Sequence, residues 1–462
     1  MKLEPAFRLV TLGILLALCV VSPLRAANRP NIIIILADDL GYGDLGCYGN
    51  PTIRTPNLDR MAAEGLRFTD FYAGSCYCTP SRAALLTGRL PIRSGMSGRR
   101  GSHVLYPDSP GGLPAEEITI AEALKTNGYV TCAIGKWHLG DAPEYSPIRN
   151  GFDSFLGLPY SNDGDPVSAK IRNLDSLSQN PDFHNFNVPL LRGTNIIERP
   201  ADQTTLTRRY TEEALRFMRE NKKGPFFIYF ASTFPHVPLF ASPEFKGKSP
   251  RGRYGDTVEE LDASVGRILK WLREENLAKN TLVFFTSDNG PWIQRRQNGG
   301  SASLFRDGKG GPWEGGYRVP AIAWWPGKIP VGVNHGIADA MDLYNTSLSL
   351  AGVKLPGDRP LDGFDLVPVL FGQKQAVRDR QFCYYADILC GIRQGNYKAH
   401  FVTHDGYSKE EPSKHDPPLL FNIAEDPSEK FDVAAEHPDV VAEMTRVYKE
   451  HLATVTHGKS QY

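Results

Sequence analysis

The sequence predicts an α/β protein built on a large, mostly parallel sheet that is flanked by helices. Four apolar runs, rich in β-branched and aromatic residues, each end abruptly in polar residues, and helical patterns separate them. Each run is uniformly apolar, as in strands that are covered on both faces. A chain of 462 residues, 41% of them apolar, can bury such a core. We therefore expect a doubly wound sheet.

The polar ends of the four runs indicate where a functional site lies. The predicted strands are residues 31–39, 129–138, 225–236 and 281–290. The predicted helices are residues 57–64, 118–127, 205–221 and 257–276. Ligands of doubly wound sheets bind outside the carboxyl ends of the strands. The four polar clusters should therefore converge on one site.

The last quarter of the chain has a different pattern. A helical stretch at 338–350 and a Gly/Pro-rich connection at 352–360 precede it. Three short strands and a final helix are predicted at 381–385, 391–402, 419–423 and 437–452. We predict a catalytic α/β domain over residues 28–365 and a smaller antiparallel subdomain over residues 366–462.

The net charge of the chain and the pattern of its first 27 residues indicate which partners it lacks and where it is located. Lys plus Arg equals Asp plus Glu at 52 each, which argues against nucleic acid and anionic membrane surfaces as partners. Residues 1–27 have the charged start, short apolar run and small-residue end of a signal peptide. That run is too short for stable membrane insertion. We expect export to the periplasm or secretion, with a lysosomal location disfavoured by the low cysteine content.

Six cysteines remain after residue 27, too few for a disulfide scaffold in a chain of this length. One bridge, such as Cys383 with Cys390, is compatible with the spacing but not fixed by it.

Cys78 opens the most informative segment, residues 78–89. Pro80 suits the first turn of a helix and Gly88 suits its end, so Cys78 is predicted at a helix N-terminus. Free amides and the helix dipole favour an anion there, and Arg82 lies one turn further on. The alternatives are a buried structural cysteine, or a C-x-C metal or disulfide pair with Cys76.

Acidic residues end the first and fourth predicted strands. Asp38 and Asp39 follow one run, and Asp288 and Asn289 follow the other. Adjacent carboxylates at a buried strand end require a neutralising cation. Carboxylate and amide oxygens favour calcium over magnesium or zinc. The alternative for an isolated Asp-Asp pair is an exposed turn.

Basic residues end the other two runs and occupy a glycine-rich loop. Lys136 and His138 lie two apart and point the same way if that segment is extended. His236 follows the third run, and Lys309 lies in the loop 306–311. Singly, each is more often a packed or solvated residue. Together they predict a cationic set at the strand ends.

The motifs as a group resemble the signatures of the type I, formylglycine-dependent sulfatases. The segments are C-T-P-S-R and T-G-R from Cys78, A-D-D-L-G-Y-G-D-L, S-D-N-G and G-K-W-H-L-G. Residues 251–256, 313–321 and 397–401 are most similar to arylsulfatase A and N-acetylgalactosamine-6-sulfatase. The resemblance implies an alkaline-phosphatase-like fold, and conversion of Cys78 to formylglycine by a formylglycine-generating enzyme.

The resemblance also implies the site residues. The implied ligands of one Ca²⁺ ion are Asp38, Asp39, Cys78, Asp288 and Asn289. The implied catalytic residues are Cys78, Arg82, Lys136, His138, His236 and Lys309. The implied substrate contacts are Ser161, Lys136, His236 and Lys309. One hydroxyl of hydrated formylglycine would attack sulfur, and the other, deprotonated by His138, would expel sulfate.

The expected substrate is a sulfated carbohydrate, with 6-O-sulfated galactosamine or galactose as first guess and aryl sulfates as surrogates. One rival function is phosphonate or phosphodiester hydrolysis by a member of the same superfamily. The other is sulfated-glycan binding without catalysis. Candidate residues for the substrate path are Arg99, Arg100, Arg251, Arg253, Arg295, Arg296, His400, His404 and His415.

Overall fold

The computed structural model describes residues 29–168, 171 and 181–462, so the predicted signal peptide lies outside the described residues. The first twelve strands are β1 (Asn31–Ala37), β2 (Leu66–Phe68), β3 (Phe71–Tyr72), β4 (Val130–Gly135), β5 (Ser154–Gly157), β6 (Leu190–Arg192), β7 (Asn195–Glu198), β8 (Phe226–Ala231), β9 (Thr281–Ser287), β10 (Ala321–Trp324), β11 (Gly332–Asn334) and β12 (Ala338–Asp339). All but β3 and β12 form one ten-stranded sheet, in the order β11-β2-β10-β9-β1-β8-β4-β5-β6-β7.

The centre of this sheet is parallel, as predicted. Strand β1 lies parallel to both β8 and β9, and β4 lies parallel to β8 and β5. Strands β10, β6 and β7 add antiparallel pairs toward the edges. The four predicted strands are thus the four adjacent central strands β9, β1, β8 and β4. Their carboxyl ends consequently lie side by side.

Helices cover both faces of the sheet. The helices are α1 (Pro56–Ala63), α2 (Cys78–Thr87), α3 (Pro91–Ser94), α4 (Ile120–Lys125), α5 (Leu206–Asn221), α6 (Gly252–Glu274), α7 (Glu314–Tyr317), α8 (Asp342–Ala351), α9 (Val367–Leu370) and α10 (Pro438–Thr454). On one face, Ile33 and Ile35 of β1 pack in a core shared with α1, α5 and α6. On the other, Ile32 and Ile34 pack in a core shared with α2, α4 and α8. This alternation follows from the two-residue repeat of a strand.

The C-terminal part forms a separate antiparallel sheet of four strands. They are β13 (Arg380–Tyr385), β14 (Ile388–Gln394), β15 (Tyr397–Thr403) and β16 (Ser413–Asn422). The prediction of one strand over 391–402 is wrong, because a turn at Gly395 (φ 56°) divides it into β14 and β15. Helix α10 packs on this sheet through Met444 and Val447.

The structure also bears on the cysteines and on membrane-spanning helices. Cys383 and Cys390 are both buried free thiols, so the suggested bridge between them is absent. Within the described ranges, no helix combines the length and the apolar character that crossing a bilayer requires.

Candidate active site

Helix α2 begins at Cys78 and ends at Gly88, as the sequence predicts. Gly88 adopts a left-handed conformation (φ 68°), and its amide donates to the carbonyl of Ala84. The whole helix is buried, and Cys78 is only 2% exposed. The Cys78 side chain therefore lies at a buried helix N-terminus, where the helix dipole favours negative charge.

Acidic side chains surround Cys78. The ligand atoms of Asp38, Cys78 and Asp288 lie within 4.8 Å of one another. Asn289 Nδ2 donates to Asp39 Oδ1 (2.8 Å), which joins the two strand ends. Asp38 Oδ1 and Asn289 Oδ1 are buried oxygens that accept no hydrogen bond from the described residues. Unpaired buried oxygens next to close carboxylates fit a hard divalent cation such as Ca²⁺.

The two central carboxylates differ in their electrostatic surroundings. Burial alone would raise the pKa of Asp38, but the positive charges of Lys136, His236, Arg82 and Lys309 hold this pKa below its usual range. Burial, together with the negative charge of Asp38, raises the pKa of Asp288 to about 7. Like charges at this distance resist simultaneous ionisation, and a bound cation removes that penalty.

Arg82 and Lys136 donate hydrogen bonds to the carboxylates of this acidic cluster. Arg82 donates from Nε (2.9 Å) and Nη2 (2.7 Å) to Asp288 Oδ2, and from Nη1 to the carbonyl of Lys136 (2.8 Å). Lys136 Nζ donates to Asp38 Oδ2 (2.7 Å) and to Ser161 Oγ (3.3 Å). Both cations are fully paired and buried. They fix the positions of the two carboxylates relative to helix α2.

His138 has a defined tautomer. Its Nε2 lies 2.8 Å from the carbonyl oxygen of Leu105, which can only accept, so Nε2 carries the proton. Nδ1 is buried and has no hydrogen-bond partner among the described residues. Burial, and then the charges of Lys136 and Arg82, lower the pKa of His138 well below its usual value. His138 is therefore a neutral imidazole with a free basic nitrogen.

His138 also corrects one local prediction. Its backbone is left-handed (φ 63°), so the segment after β4 is not extended as expected. Lys136 and His138 still reach the same site, since His138 lines the cavity above Cys78 and Lys136 bonds to Ser161 in the same lining.

His236 and Lys309 contact the acidic cluster through Asp39. Lys309 Nζ lies 2.6 Å from Asp39 Oδ1 and 2.9 Å from Oδ2. His236 Nε2 lies 3.7 Å from Asp39 Oδ2, and its Nδ1 bonds to the carbonyl of Val237 (2.5 Å). Burial lowers the pKa of Lys309, but Asp39 and Cys78 outweigh this effect and raise it well above its usual value. Lys309 is therefore a permanent cation.

A cavity of about 90 Å³ lies above these residues. Of the predicted site residues, its lining includes Cys78, His138, Ser161, His236 and Lys309. The sequence reasoning missed other lining residues, among them Tyr106, Tyr160, Asp163, Trp292 and Tyr407. Local signals existed for some of these: Trp292 follows the S-D-N-G motif by two residues, and Tyr160 and Asp163 flank Ser161.

Most residues suggested for a substrate path lie elsewhere. His400 is fully buried and bonds to Glu429 (2.7 Å), which contradicts a position at the rim. Arg100 pairs with Glu411, and Arg251 donates to the carbonyls of Gln297 and Gly299. Arg295 is the exception, because its guanidinium lies 3.8 Å from the Trp292 ring centroid beside the cavity.

Comparison with known proteins agrees with this geometry. The family model named Sulfatase matches residues 30–353, and a model for the C-terminal region of aryl-sulfatase matches residues 377–462. Arylsulfatase A of Homo sapiens is 43% identical over 479 residues, covering 96% of this chain and 93% of that protein. N-acetylgalactosamine-6-sulfatase of Canis lupus familiaris is 41% identical over 475 residues, covering 94% and 88%.

A solved structure gives the same result for the fold. The crystal structure of the PsFucS1 sulfatase from Pseudoalteromonas sp. superposes with a TM-score of 0.81 at 31% identity, covering 92% of this chain and 90% of that one. This likeness confirms the predicted alkaline-phosphatase-like architecture with its C-terminal antiparallel sheet. The matches span both parts of the chain. The chain therefore belongs to the sulfatase family and is a sulfuric ester hydrolase of the arylsulfatase type.

Proposed function

We propose that the chain hydrolyses sulfate esters of carbohydrates with formylglycine made from Cys78 and one bound Ca²⁺ ion. One observation carries this proposal. Cys78 lies at a buried helix N-terminus, with its sulfur within 4.8 Å of oxygens of Asp38 and Asp288. A nucleophile, a cation site and an anion-binding helix end thus coincide.

The nucleophile is prepared by the residues around position 78. Hydrated formylglycine supplies two hydroxyl groups on one carbon, one for attack and one for release of sulfate. Asp38, Asp39, Asp288 and Asn289 would hold a Ca²⁺ ion, which would supply positive charge next to the nucleophile and the sulfate group. Arg82 keeps Asp288 in place through its two hydrogen bonds.

His138 is the base in this proposal. Its Nδ1 is unprotonated and free, because Leu105 holds the proton on Nε2. A neutral imidazole can accept the proton of the second hydroxyl at residue 78, which lets that hydroxyl expel the sulfate group.

The remaining residues of the site bind the substrate. We assign Lys136 and Ser161, whose side chains lie 3.3 Å apart, to contacts with sulfate oxygens. Lys309 and His236 lie beside Asp39, where the Lys309 ammonium neutralises the charge on the leaving oxygen and His236 contacts the substrate. The sulfatase family model over residues 30–353 and the similarity to arylsulfatase A favour a sulfate ester over the phosphonate or phosphodiester alternative, and catalysis over binding alone.

Maturation and location follow as further parts of the proposal. Conversion of Cys78 requires a formylglycine-generating enzyme that acts on the C-T-P-S-R segment before the helix is buried. Export rests on the predicted signal peptide over residues 1–27.

Substitution of Cys78 tests the proposal. Cys78→Ala should fold and release no sulfate from 4-nitrophenyl sulfate or galactose 6-sulfate, because the nucleophile is absent. Cys78→Ser should accept a sulfuryl group but release it slowly, because serine has no second hydroxyl. Stopped assays with intact-mass spectrometry would measure both.

The control for this experiment is Cys132→Ala, a buried thiol on β4 outside the cavity lining. It should keep its catalytic rate. Substantial turnover by Cys78→Ala, or rapid repeated turnover by Cys78→Ser, would contradict the assigned role of residue 78.

A further inference from the structure

An aromatic side chain at the mouth of the cavity takes no part in the proposed chemistry. Tyr407 lies in the connection between β15 and β16 and lines the same cavity as Cys78 and Lys309. Its ring stacks on Trp292 (centroids 4.8 Å apart, 16° between planes), and the Tyr77 ring meets it edge-on at 5.8 Å. The residue is nevertheless 40% exposed. A large ring is therefore held rigidly at the opening and left in contact with solvent.

The backbone at Tyr407 is strained. Tyr407 has φ 59° in the turn closed by Ser408 N donating to the carbonyl of Asp405 (3.0 Å). This left-handed conformation is unfavourable for a bulky residue. The preceding Gly406 is bonded through its amide to Asp307 Oδ2 (2.7 Å) and through its carbonyl to Gln294 (2.8 Å). These contacts tie the turn to the loop that carries Lys309.

The size of the cavity separates the sulfate group from the rest of the substrate. Pockets that enclose a whole organic ligand have volumes of roughly 300 Å³ or more. The cavity above Cys78 has about 90 Å³. The interior thus takes the sulfate group, and the organic group to which it is attached must lie at the mouth, against Tyr407.

Apart from Arg295, which stacks on Trp292 beside the cavity, the charged side chains near the mouth are mainly carboxylates, and carboxylates disfavour a second anionic group. Asp163 lines the cavity itself, and a neighbouring groove of about 220 Å³ shares Pro107 and Tyr160 with it. The carboxylates that line this groove are Asp108, Asp141 and Asp165, with Arg199 beside them. Carboxylates accept hydrogen bonds from sugar hydroxyls but repel sulfates and uronates.

We propose that Tyr407 contacts the substrate and packs against the face of a singly sulfated, otherwise uncharged sugar ring. This assignment rests on the proposed function and specifies its substrate class. The C-terminal subdomain thus contributes a specificity-determining residue, and the acidic groove excludes sugars that carry a second negative charge on that side.

Inorganic sulfate provides the decisive comparison, because it fills the sulfate position but has no ring. With galactose 6-sulfate as substrate, Tyr407→Ala should raise KM about fivefold, the worth of one aromatic contact. The inhibition constant for inorganic sulfate should change less than twofold. Tyr407→Gly, which relieves the backbone strain and so folds, should lose the same affinity, and Tyr407→Phe should restore most of it.

The proposed selection against a second negative charge on the sugar is measured separately. The native protein should prefer galactose 6-sulfate over a disulfated galactose by about tenfold in kcat/KM, and Asp165→Asn should narrow this preference about twofold.

Equal shifts of KM and of the sulfate inhibition constant in the Tyr407 variants, or no shift in KM, would overturn the role of Tyr407. A native preference for the disulfated sugar would overturn the charge selection. Failure of the proposed function is distinct, since the native protein would then release no sulfate from any ester.

Discussion

Two site residues adopt backbone conformations that side chains rarely take. Asp39 (φ 64°) and His138 (φ 63°) are both left-handed, and they lie two and three residues beyond the ends of β1 and β4. Such strain is held by surrounding contacts, here the bonds from Asp39 N to Asp288 Oδ1 (3.1 Å) and from Thr79 Oγ1 to the His138 carbonyl (3.0 Å). The geometry of the site is thus fixed residue by residue before substrate binds.

The free oxygen of Asn289 gives a prediction at this scale. Asn289→Ala should weaken Ca²⁺ binding at least tenfold, because a neutral oxygen ligand is lost. Thermal unfolding at increasing Ca²⁺ concentration measures this, since an ion that binds only the native state raises the melting temperature. Asn345→Ala is a matched control, because Asn345 Oδ1 is also buried and unpartnered but lies in α8. A Ca²⁺ response that is equal in all three proteins would refute the assignment.

At the scale of elements, helix α2 sets the direction of Cys78. Its last residue is followed by Gly88, where a Cβ atom would lie 2.8 Å from the ring of Tyr344. Helix α8 ends in the same way at Gly352 (φ 68°), but a Cβ there meets nothing within 4 Å. The two helix ends share the left-handed conformation and differ only in packing.

This pair predicts a measurable difference. Gly352→Ala should cost about 1 kcal/mol of unfolding free energy from strain alone. Gly88→Ala should cost about 1–3 kcal/mol more, because the buried Tyr344 ring cannot move aside, and should also slow turnover. Denaturant unfolding followed by circular dichroism would compare them. Equal costs would show that α2 is not held by Tyr344.

Elements were predictable where one signal dominated. The apolar runs ending in polar residues identified all four central strands. A parallel strand that is buried on both faces is uniformly apolar, so its own residues are enough to recognise it. The strand pair β14 and β15 was missed, since the turn at Gly395-Asn396 was treated as part of one run. The left-handed conformations of Asp39 and His138 have no local sequence signal and arise from tertiary contacts.

On the scale of the whole molecule, buried charges join the C-terminal sheet to the catalytic part. Lys398 Nζ lies 2.9 Å from Glu314 Oε1 and 3.3 Å from Glu429 Oε1, and all three side chains are fully buried. Burial would raise the pKa of Glu314, but Lys398, Arg318 and Arg393 hold it below its usual value. The carboxylate therefore stabilises the fold above its ordinary pKa, and this contribution is lost on acidification.

Removing the central cation should be costly. Lys398→Met removes the buried cation that Glu314 and Glu429 share, and we expect a loss of about 3–5 kcal/mol in unfolding free energy at pH 7. Lys270→Met, which breaks the exposed pair with Glu274, should cost less than about 0.5 kcal/mol. Denaturant titration measures both. A loss below about 1 kcal/mol for Lys398→Met would contradict a structural role for this cluster.

The same scale explains why Tyr407 was not found from the sequence. It is 98 residues beyond Lys309 along the chain, and only the docking of the Gly406 turn on Asp307 brings the two into one cavity. The motif residues, by contrast, follow strands that lie side by side in the sheet. Motif spacing predicted the residues that lie together around Cys78, whereas the position of Tyr407 depends on how two parts of the chain pack.

Paired rates on matched esters test the central claim most directly. Protein whose Cys78 conversion to formylglycine is verified by mass spectrometry would be loaded with Ca²⁺ and assayed on 4-nitrophenyl sulfate and on a 4-nitrophenyl phosphonate or phosphodiester. The account predicts a higher kcat/KM for the sulfate ester, with turnover abolished in Cys78→Ala. A higher kcat/KM for the phosphorus ester, or no sulfate release by the verified protein, would contradict it.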